Sequence, residues 1–203
     1  MAFAGYDQDF DGLNDGDLNT QDSWTGDTSF DVQTSVVNSG TKAVIGNHTG
    51  SGESISRDDG AVGTDGTQVF YFRLTSVTTA ELMQCRMMEG ASPRGYMKND
   101  GSGNFQYYDG GAYNTVGSLS NDTWHKMVVE WRVSPSQQWR HDLDGTGFTD
   151  WDTMVTWTSG LDGNFLARTS LTGSVYWDDF ASSDTPAASA VTPTPQLLTL
   201  GVG

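Results

Sequence analysis

The segment Trp124-His-Lys-Met-Val-Val-Glu-Trp-Arg-Val133 decides the fold class, because apolar side chains recur in it at every second position. One face of an extended chain would carry Met127, Val129, Trp131 and Val133, and the other would carry Lys126, Glu130 and Arg132. A period of two residues is that of a β-strand. One apolar and one polar face predict an antiparallel sheet that packs on a core on one side and meets water on the other.

Shorter stretches with similar alternation lie on both sides of this segment. The further predicted strands are Tyr6–Asp11, Phe30–Val37, Lys42–Gly46, Glu53–Arg57, Thr67–Leu74, Thr79–Met88, Gly95–Lys98, Asn104–Tyr108, Ala112–Val116, Gln137–Leu143, Asn164–Arg168 and Ser174–Phe180. Turns rich in Asn, Asp and Gly separate them, as in Asn38-Ser39-Gly40. Many short strands with tight turns predict two packed antiparallel sheets, so we expect residues 1–181 to form one all-β sandwich domain, a jelly roll.

The composition limits the partners of the chain. Its 203 residues include 26 Asp and Glu but 10 Lys and Arg, which gives a formal net charge of −16. We expect no nucleic-acid partner, because phosphates would be repelled. No run approaches the roughly 18 apolar residues that span a membrane. The single cysteine, Cys85, leaves no internal disulfide framework and lies in an apolar run that predicts a buried side chain.

Residues 182–203 differ in character from the rest of the chain. Pro, Ala, Ser and Thr dominate their first part, which predicts a semi-extended linker that cannot build a core. The last part is apolar and contains Leu197, Leu198, Leu200 and Val202. We therefore expect a docking tail that rests on its own domain, on a sister subunit in a homo-oligomer, or on another virion or surface protein.

Three segments carry a family resemblance. They are Tyr6-Asp-Gln-Asp-Phe-Asp-Gly-Leu-Asn-Asp-Gly-Asp-Leu-Asn-Thr-Gln-Asp-Ser-Trp24, Trp124-His-Lys-Met-Val-Val-Glu-Trp131 and Val175-Tyr-Trp-Asp-Asp-Phe180. In order and spacing they resemble the first strand and loop, a Trp-led strand and the closing strand of concanavalin A-like lectin/glucanase domains, the laminin G-like jelly rolls. The resemblance implies a jelly-roll sandwich. It implies no single function, because this fold hosts lectins, glycosidases, lyases and structural proteins.

A catalytic centre is not visible in the sequence. A retaining glycosidase needs two carboxylates about 5–5.5 Å apart, which on one strand means positions two or four residues apart on one face. None of the four Glu residues has such a partner on a predicted strand. Asp142 and Asp144 have the spacing but run into a Gly turn, which predicts a solvated hairpin end. We expect a protein that is not an enzyme.

The acidic first segment raises the question of a metal. Asp7, Asp9 and Asp11 imitate the start of an EF-hand loop, but the twelfth position, which should be Glu, is Leu18. In related β-sandwich modules a structural calcium lies where the first strand meets the last. The resemblance therefore implies a possible Ca²⁺ site from Asp9 or Asp11 with Asp178 or Asp179. Plain surface acids are the alternative.

Aromatic residues are the candidate ligand-binding residues. Rings stack on the apolar faces of sugars, and clusters of Tyr, Gly, Asn and Asp in loops have a composition typical of binding surfaces. The candidates, which lie in or near Gly-rich hairpins, are Tyr96, Tyr107, Tyr108, Tyr113 and Trp151. Ordinary packing is the alternative for each ring.

The first residues lack the basic and apolar regions of a secretory leader. An extracellular style of fold without a leader favours a protein made in a host cytoplasm and displayed on a virion surface. We expect a non-catalytic, lectin-like structural or adhesion protein of this kind, such as a phage decoration or fibre protein, with a possible glycan ligand. The alternatives are a carbohydrate-binding module of a bacterial surface system and a divergent polysaccharide hydrolase or lyase.

Overall fold

The computed structural model of the chain describes residues 7–47, 52–154, 160–168 and 172–183. The regular structure in these ranges is β-strand throughout. The strands are β1 Gly16–Asp17, β2 Thr25–Gly26, β3 Phe30–Gln33, β4 Ala43–Gly46, β5 Glu53–Gly63, β6 Asp65–Leu74, β7 Gln84–Glu89, β8 Ser92–Asn99, β9 Asn104–Tyr108, β10 Tyr113–Ser118, β11 Trp124–Arg132, β12 Gln138–Leu143, β13 Asp152–Thr153, β14 Leu161–Arg168 and β15 Val175–Ser183.

The strands form two antiparallel sheets. The first sheet has the order β1-β3-β4-β15-β6-β11-β12-β13, and the second has the order β10-β9-β8-β7-β14-β5-β2. The inward faces of both sheets enclose one apolar core, in which the tryptophans Trp24, Trp131, Trp139 and Trp177 are fully buried. The predicted all-β sandwich is confirmed.

The alternation of the deciding segment places its apolar side chains as predicted, but Glu130, predicted to meet water, is fully buried and binds Arg140. Met127, Val129 and Trp131 of β11 are buried in the core. β11 lies between β6 and β12, with Met127 opposite Phe70 and Trp131 opposite Trp139. Cys85 is also buried in the core, and this burial raises the pKa of its thiol. A thiol in this state is a packing residue rather than a reactive one.

The first predicted strand, Tyr6–Asp11, is wrong in its described part. Gln8 forms a single bridge with Phe180, and the chain then turns, because Phe10 has φ of 62° and its carbonyl accepts a hydrogen bond from the Leu13 amide. The turn places Phe10 in the core, edge-on to Phe180 with centroids 5.9 Å apart.

Other differences are at strand ends. The predicted Thr79–Met88 strand starts later, at Gln84, after a turn in which Glu81 has φ of 51°. β15 ends at Ser183, and the remainder of the predicted tail lies outside the described residues.

Among the residues that the structure describes, no helix is long and apolar enough to cross a membrane.

Candidate functional site

The outer face of the second sheet carries a continuous row of aromatic and cationic side chains. Strand pairing sets Phe165 of β14 opposite Arg86 of β7, and Arg86 opposite Tyr96 of β8. The pairing of Met97 with Tyr107 continues this register, so that Tyr96 lies beside Tyr108 of β9, which pairs with Tyr113 of β10. We call these five residues the tyrosine row.

The side chains of the tyrosine row contact one another. The Arg86 guanidinium lies 4.2 Å from the ring centroid of Tyr96 and 5.2 Å from that of Phe165. Tyr113 lies 6.0 Å from Tyr96 and 5.1 Å from Tyr108 between centroids. Among the described residues, Tyr113 is the one exposed large hydrophobic side chain, at 42%. The row therefore presents Tyr113 to solvent, with the other four side chains half-buried, where most other aromatic rings of the described residues pack inward.

Two ion pairs extend this face. Lys98 of β8 binds the Glu81 carboxylate, and its Nζ lies 4.1 Å from the ring centroid of Tyr113. Arg94, also on β8, donates from Nε to Glu89 Oε2 at 3.1 Å. Burial raises the pKa of the Tyr96 hydroxyl, so that this phenol is neutral and can donate a hydrogen bond at physiological pH.

A cavity of about 180 Å³ opens beside the row. Its polar lining is Arg86, Arg94, Tyr96 and Tyr108, and its apolar lining is Pro93, Gly95 and Met154. We call it the arginine pocket. Gly95 is required in its wall, because its φ is 41° and a Cβ there would lie 2.9 Å from Trp139 Cζ3.

Of the predicted ligand-binding residues, the structure brings Tyr96, Tyr108 and Tyr113 together. Tyr107 is a correction, because it points to the opposite face of β9, is 3% exposed, and donates its hydroxyl to Asp152. Trp151 lies elsewhere, and its role in ligand binding stays a prediction. It stacks against the guanidiniums of Arg132 and Arg140 at 4.1 and 4.6 Å on the first sheet, away from the tyrosine row.

Four residues of this face, Arg86, Arg94, Lys98 and Phe165, were not among the predicted site residues. A signal existed for Arg86, since it is a cation between Cys85 and Met87, two residues that the structure buries. An arginine between two inward-facing positions of a strand must point outward. Its neighbours on other strands depend on register, which no local pattern gives.

Three of the four predicted metal ligands bind a loop of the chain instead. Asp178 is fully buried and accepts from the Asn38 amide at 2.8 Å, and Asp179 accepts from the Asn38 side chain at 2.6 Å. Asp11 accepts from the amides of Thr41 and Lys42 at 2.7 and 2.8 Å. Residues 38–42, which we call the β3–β4 loop, are thus held at both ends by carboxylates.

The β3–β4 loop explains two perturbed carboxyl groups. Burial, strengthened by the neighbouring Asp179 charge, raises the pKa of Asp178 to about 6. The loop amides lower the pKa of Asp11, because they stabilise its ionised form. Gly40 is required between them, since its φ is 62° and a Cβ there would lie 2.4 Å from Asp11 Oδ2.

Asp9 lies apart from the loop. It lines a pocket of about 360 Å³ with Asp7 and Asp179, where Gln8 pairs with Phe180. In the described part of the chain, no group of three or more His, Cys, Asp or Glu side chains is arranged to hold a metal ion. The four carboxylates therefore do not form a common ligand cage, and calcium binding stays a prediction. The EF-hand alternative does not fit, because Leu18 is buried in the core.

The structure also reveals polar pairs that join different strands. His125 Nδ1 lies 2.7 Å from Asp144 Oδ2, while its Nε2 accepts from the Ser120 amide at 3.1 Å. Both nitrogens of His125 are therefore occupied by structural partners. Asp142 accepts from the Gly147 amide, in agreement with the predicted hairpin end.

Asp162 of β14 lies near two other carboxylates, one of which is on β7. The charges of Asp58 and Glu89 lie near Asp162, whose pKa is raised mainly by burial and further by these two charges. Asp162 is 2% exposed, and both of its oxygens accept from the Gly90 amide at 2.8 Å. This carboxylate anchors the β7–β8 turn, which is a structural task.

Comparisons with known proteins bear on the fold. No protein-family model matches the chain, and no curated protein matches it in sequence. A sialidase structure superposes with a TM-score of 0.70 over 90% of this chain at 8% identity. The chain spans 18% of the sialidase's length, so the similarity concerns one part of that enzyme.

Two smaller solved proteins match over nearly their whole lengths. The cellulose-induced protein Cip1 has a TM-score of 0.64 at 12% identity, with 90% of this chain and 99% of Cip1 covered. The carbohydrate esterase of the Shiga toxin-encoding bacteriophage phi24B has a TM-score of 0.58 at 15% identity, with 81% and 91% covered. At these identities the structures establish the fold alone. The chain has a concanavalin A-like jelly-roll fold.

Proposed function

We propose that this protein is a non-catalytic glycan-binding domain that holds its ligand on the tyrosine row. The observation that carries the proposal is the alignment of Phe165, Arg86, Tyr96, Tyr108 and Tyr113 across five neighbouring strands of one outer face. Tyr113 is exposed, and the other four side chains of the row are half-buried. The rings offer flat apolar surfaces, and the hydroxyls of the tyrosines offer hydrogen bonds beside them.

The dimensions of the row favour an extended oligosaccharide over a single sugar. Neighbouring strands lie roughly 4.8 Å apart, so the distance from β14 to β10 is about 19 Å. The residues are on regular strands rather than loops, and Arg86 and Lys98 hold the rings of Tyr96 and Tyr113 in place. A rigid platform limits the entropy lost on binding.

The polar groups support a role without catalysis. His125 and Asp144 are bonded to each other and to the backbone, and Asp162 is buried on the Gly90 amide. A general acid or base must reach a bound substrate. The alternative function is hydrolysis of a polysaccharide, for which Glu89 near Asp162 and Asp144 beside His125 are the carboxylates to test.

The test is binding to an array of immobilised glycans. The wild-type protein should bind at least one polysaccharide class, and Tyr113→Ala or Tyr108→Ala should weaken that binding about tenfold or more. Tyr176→Ala is the matched control, because Tyr176 lies on the outer face of the first sheet beside Trp124. Equal binding by all four proteins would overturn the proposal.

The setting of this function is a further part of the proposal. We place the protein on a virion surface, attached through residues 184–203, where the linker and the apolar Leu197, Leu198, Leu200 and Val202 follow the last strand. Burial of four such side chains could contribute on the order of 1.5–3 kcal/mol each before ordering costs. The alternative setting is a carbohydrate-binding module of a bacterial surface system. Such a module would bind its glycan on the same face but would not be attached to a virion.

Deletion of residues 186–203 separates the two settings. The truncated protein should keep the melting temperature of the full chain, because β15 ends at Ser183. It should lose incorporation into particles or oligomers while glycan binding is unchanged. Normal assembly of the truncated protein would remove the support for the virion setting.

A further inference from the structure

This acidic chain carries three cations beside the tyrosine row. Three of its 10 Lys and Arg residues, namely Arg86, Arg94 and Lys98, lie on the outer face of β7 and β8 beside the tyrosines. Two of them have a carboxylate partner, since Arg94 binds Glu89 and Lys98 binds Glu81. Among the described residues Arg86 forms no ion pair with a carboxylate, in a protein of net charge −16.

Arg86 differs from Arg94 and Lys98 in its contacts. No carboxylate lies within ion-pair distance of Arg86 among the described residues, and its Nη2 donates to Gln84 Oε1 at a long 3.4 Å. Its Nε is buried and lacks a hydrogen-bond partner within the described structure. The ring faces of Tyr96 and Phe165 hold the guanidinium instead. Partial desolvation of a cation is costly unless an anion compensates it.

The position of Arg86 also favours an anionic ligand. It lines the arginine pocket together with Arg94, and the pocket adjoins the tyrosine row. A planar guanidinium offers paired donors that match a carboxylate, and its stacking between rings fixes their direction. A carboxylate on a sugar that stacks on Tyr96 or Tyr108 would reach this pocket.

We propose that the arginine pocket receives a carboxylate of the bound glycan, so that the ligand class is a polymer of acidic sugars and Arg86 is the residue that selects it. This inference rests on the proposed glycan-binding function and names its substrate class. The net charge of −16 disfavours anionic polymers in general, so the Arg86 guanidinium would supply the local attraction that a carboxylate needs on this face.

The experiment compares one polymer in two chemical forms. Polygalacturonate and alginate are each tested beside the same polymer after reduction of its carboxyl groups to alcohols, by affinity electrophoresis at pH 7. The wild type should bind the carboxylated form at least tenfold more tightly. Arg86→Gln should remove this preference while binding to the reduced form persists, and Arg73→Gln, on the first sheet beside Asp122, should leave it intact.

The outcomes distinguish the two proposals. Equal binding of both forms by the wild type, with dependence on Tyr113, would overturn the acidic-sugar inference and keep glycan binding. Binding of neither form would overturn both. Preference for sulfated over carboxylated polymers would also contradict the inference. Arg86→Lys guards against misfolding, because it keeps the charge but not the paired donors, and should retain only a small part of the preference.

Discussion

Asp11 and Asp178 bind opposite ends of the same loop, although 166 positions lie between them in the sequence. Asp178 accepts from the Asn38 amide at 2.8 Å, and Asp11 accepts from the Thr41 amide at 2.7 Å. Each carboxylate thereby joins the first or last segment of the domain to the β3–β4 loop. Two of the acids that suggested a metal site from the sequence, Asp11 and Asp178, accept hydrogen bonds from backbone amides in the fold.

The raised pKa of Asp178 should make the free energy of unfolding depend on pH. Its pKa is about 6 in the folded protein and near 3.8 when the chain is unfolded, so the folded state binds more protons between these values. The free energy of unfolding of the wild type, relative to Asp178→Asn, should therefore fall as the pH rises from about 4 to 6 and be flat above 7. Urea titrations at several pH values measure this difference. A constant difference would contradict the assigned burial.

The calcium prediction has a separate test. A cation that binds the folded state alone raises the melting temperature by mass action. If Asp9 and Asp179 hold calcium in the pocket that both line, millimolar Ca²⁺ should raise the melting temperature of chelator-treated protein, and Asp179→Asn should abolish the increase. Magnesium is the control, since it demands a stricter geometry. No shift with calcium would rule out the site.

His141 and His125 should respond oppositely to the same substitution. His141 is fully buried between Tyr107 and Trp139, with neither ring nitrogen hydrogen-bonded within the described structure, and burial lowers its pKa to about 3. His141→Phe should be nearly neutral or stabilising at pH 7. His125→Phe should cost about 1–3 kcal/mol, because Asp144 and the Ser120 amide lose their partner.

The free energy of unfolding at low pH should depend on His141. The unfolded chain protonates His141 below about pH 6.5, the ordinary value, while the folded protein resists protonation down to about 3. The wild type should therefore lose stability as the pH falls through this window, and His141→Phe should lose less. Thermal melts from pH 7 to 4 compare the two proteins. Parallel curves would show that His141 is not held neutral.

Incubation with β-glucans, alginates, galactans and acetylated polysaccharides should release neither reducing sugar nor acetate. The reason is that the described carboxylates near the arginine pocket are engaged, Glu89 by Arg94 and Asp162 by Gly90. Turnover that disappears in Glu89→Gln or Asp144→Asn would show an enzyme instead. Asp15→Asn is the control and should keep any such turnover, because the Asp15 carboxylate pairs with Lys42 and does not line the arginine pocket.

The fold could be predicted because its signal is local. The alternation in β11 and the Asp-Gly turns determine strands and hairpins without knowledge of their neighbours. The prediction of a strand over Tyr6–Asp11 failed at Phe10. There a positive φ turns an apolar residue inward just after the single bridge between Gln8 and Phe180. Apolar spacing alone does not distinguish such a turn from a strand.

The candidate site could be predicted only in part. Composition identified Tyr96, Tyr108 and Tyr113, but successive residues of a strand face opposite ways, so Tyr107 and Tyr108 could not share one surface. Phe105 and Tyr107 occupy the inward phase of β9. The meeting of Arg86 with Tyr96 and Phe165, and of Glu89 with Asp162, depends on pairing between distant strands, which the sequence of one chain does not reveal.

The most direct test of the central claim is a map of the backbone amide shifts that a glycan causes. An oligosaccharide of the polymer that binds best is titrated into ¹⁵N-labelled protein. The account predicts saturable shifts at Tyr96, Tyr108 and Tyr113 and at their neighbours on β7 to β10, with β11 and β12 unaffected. Shifts confined to the first sheet or to the Asp9–Asp179 pocket, or no shifts with any polymer, would contradict it.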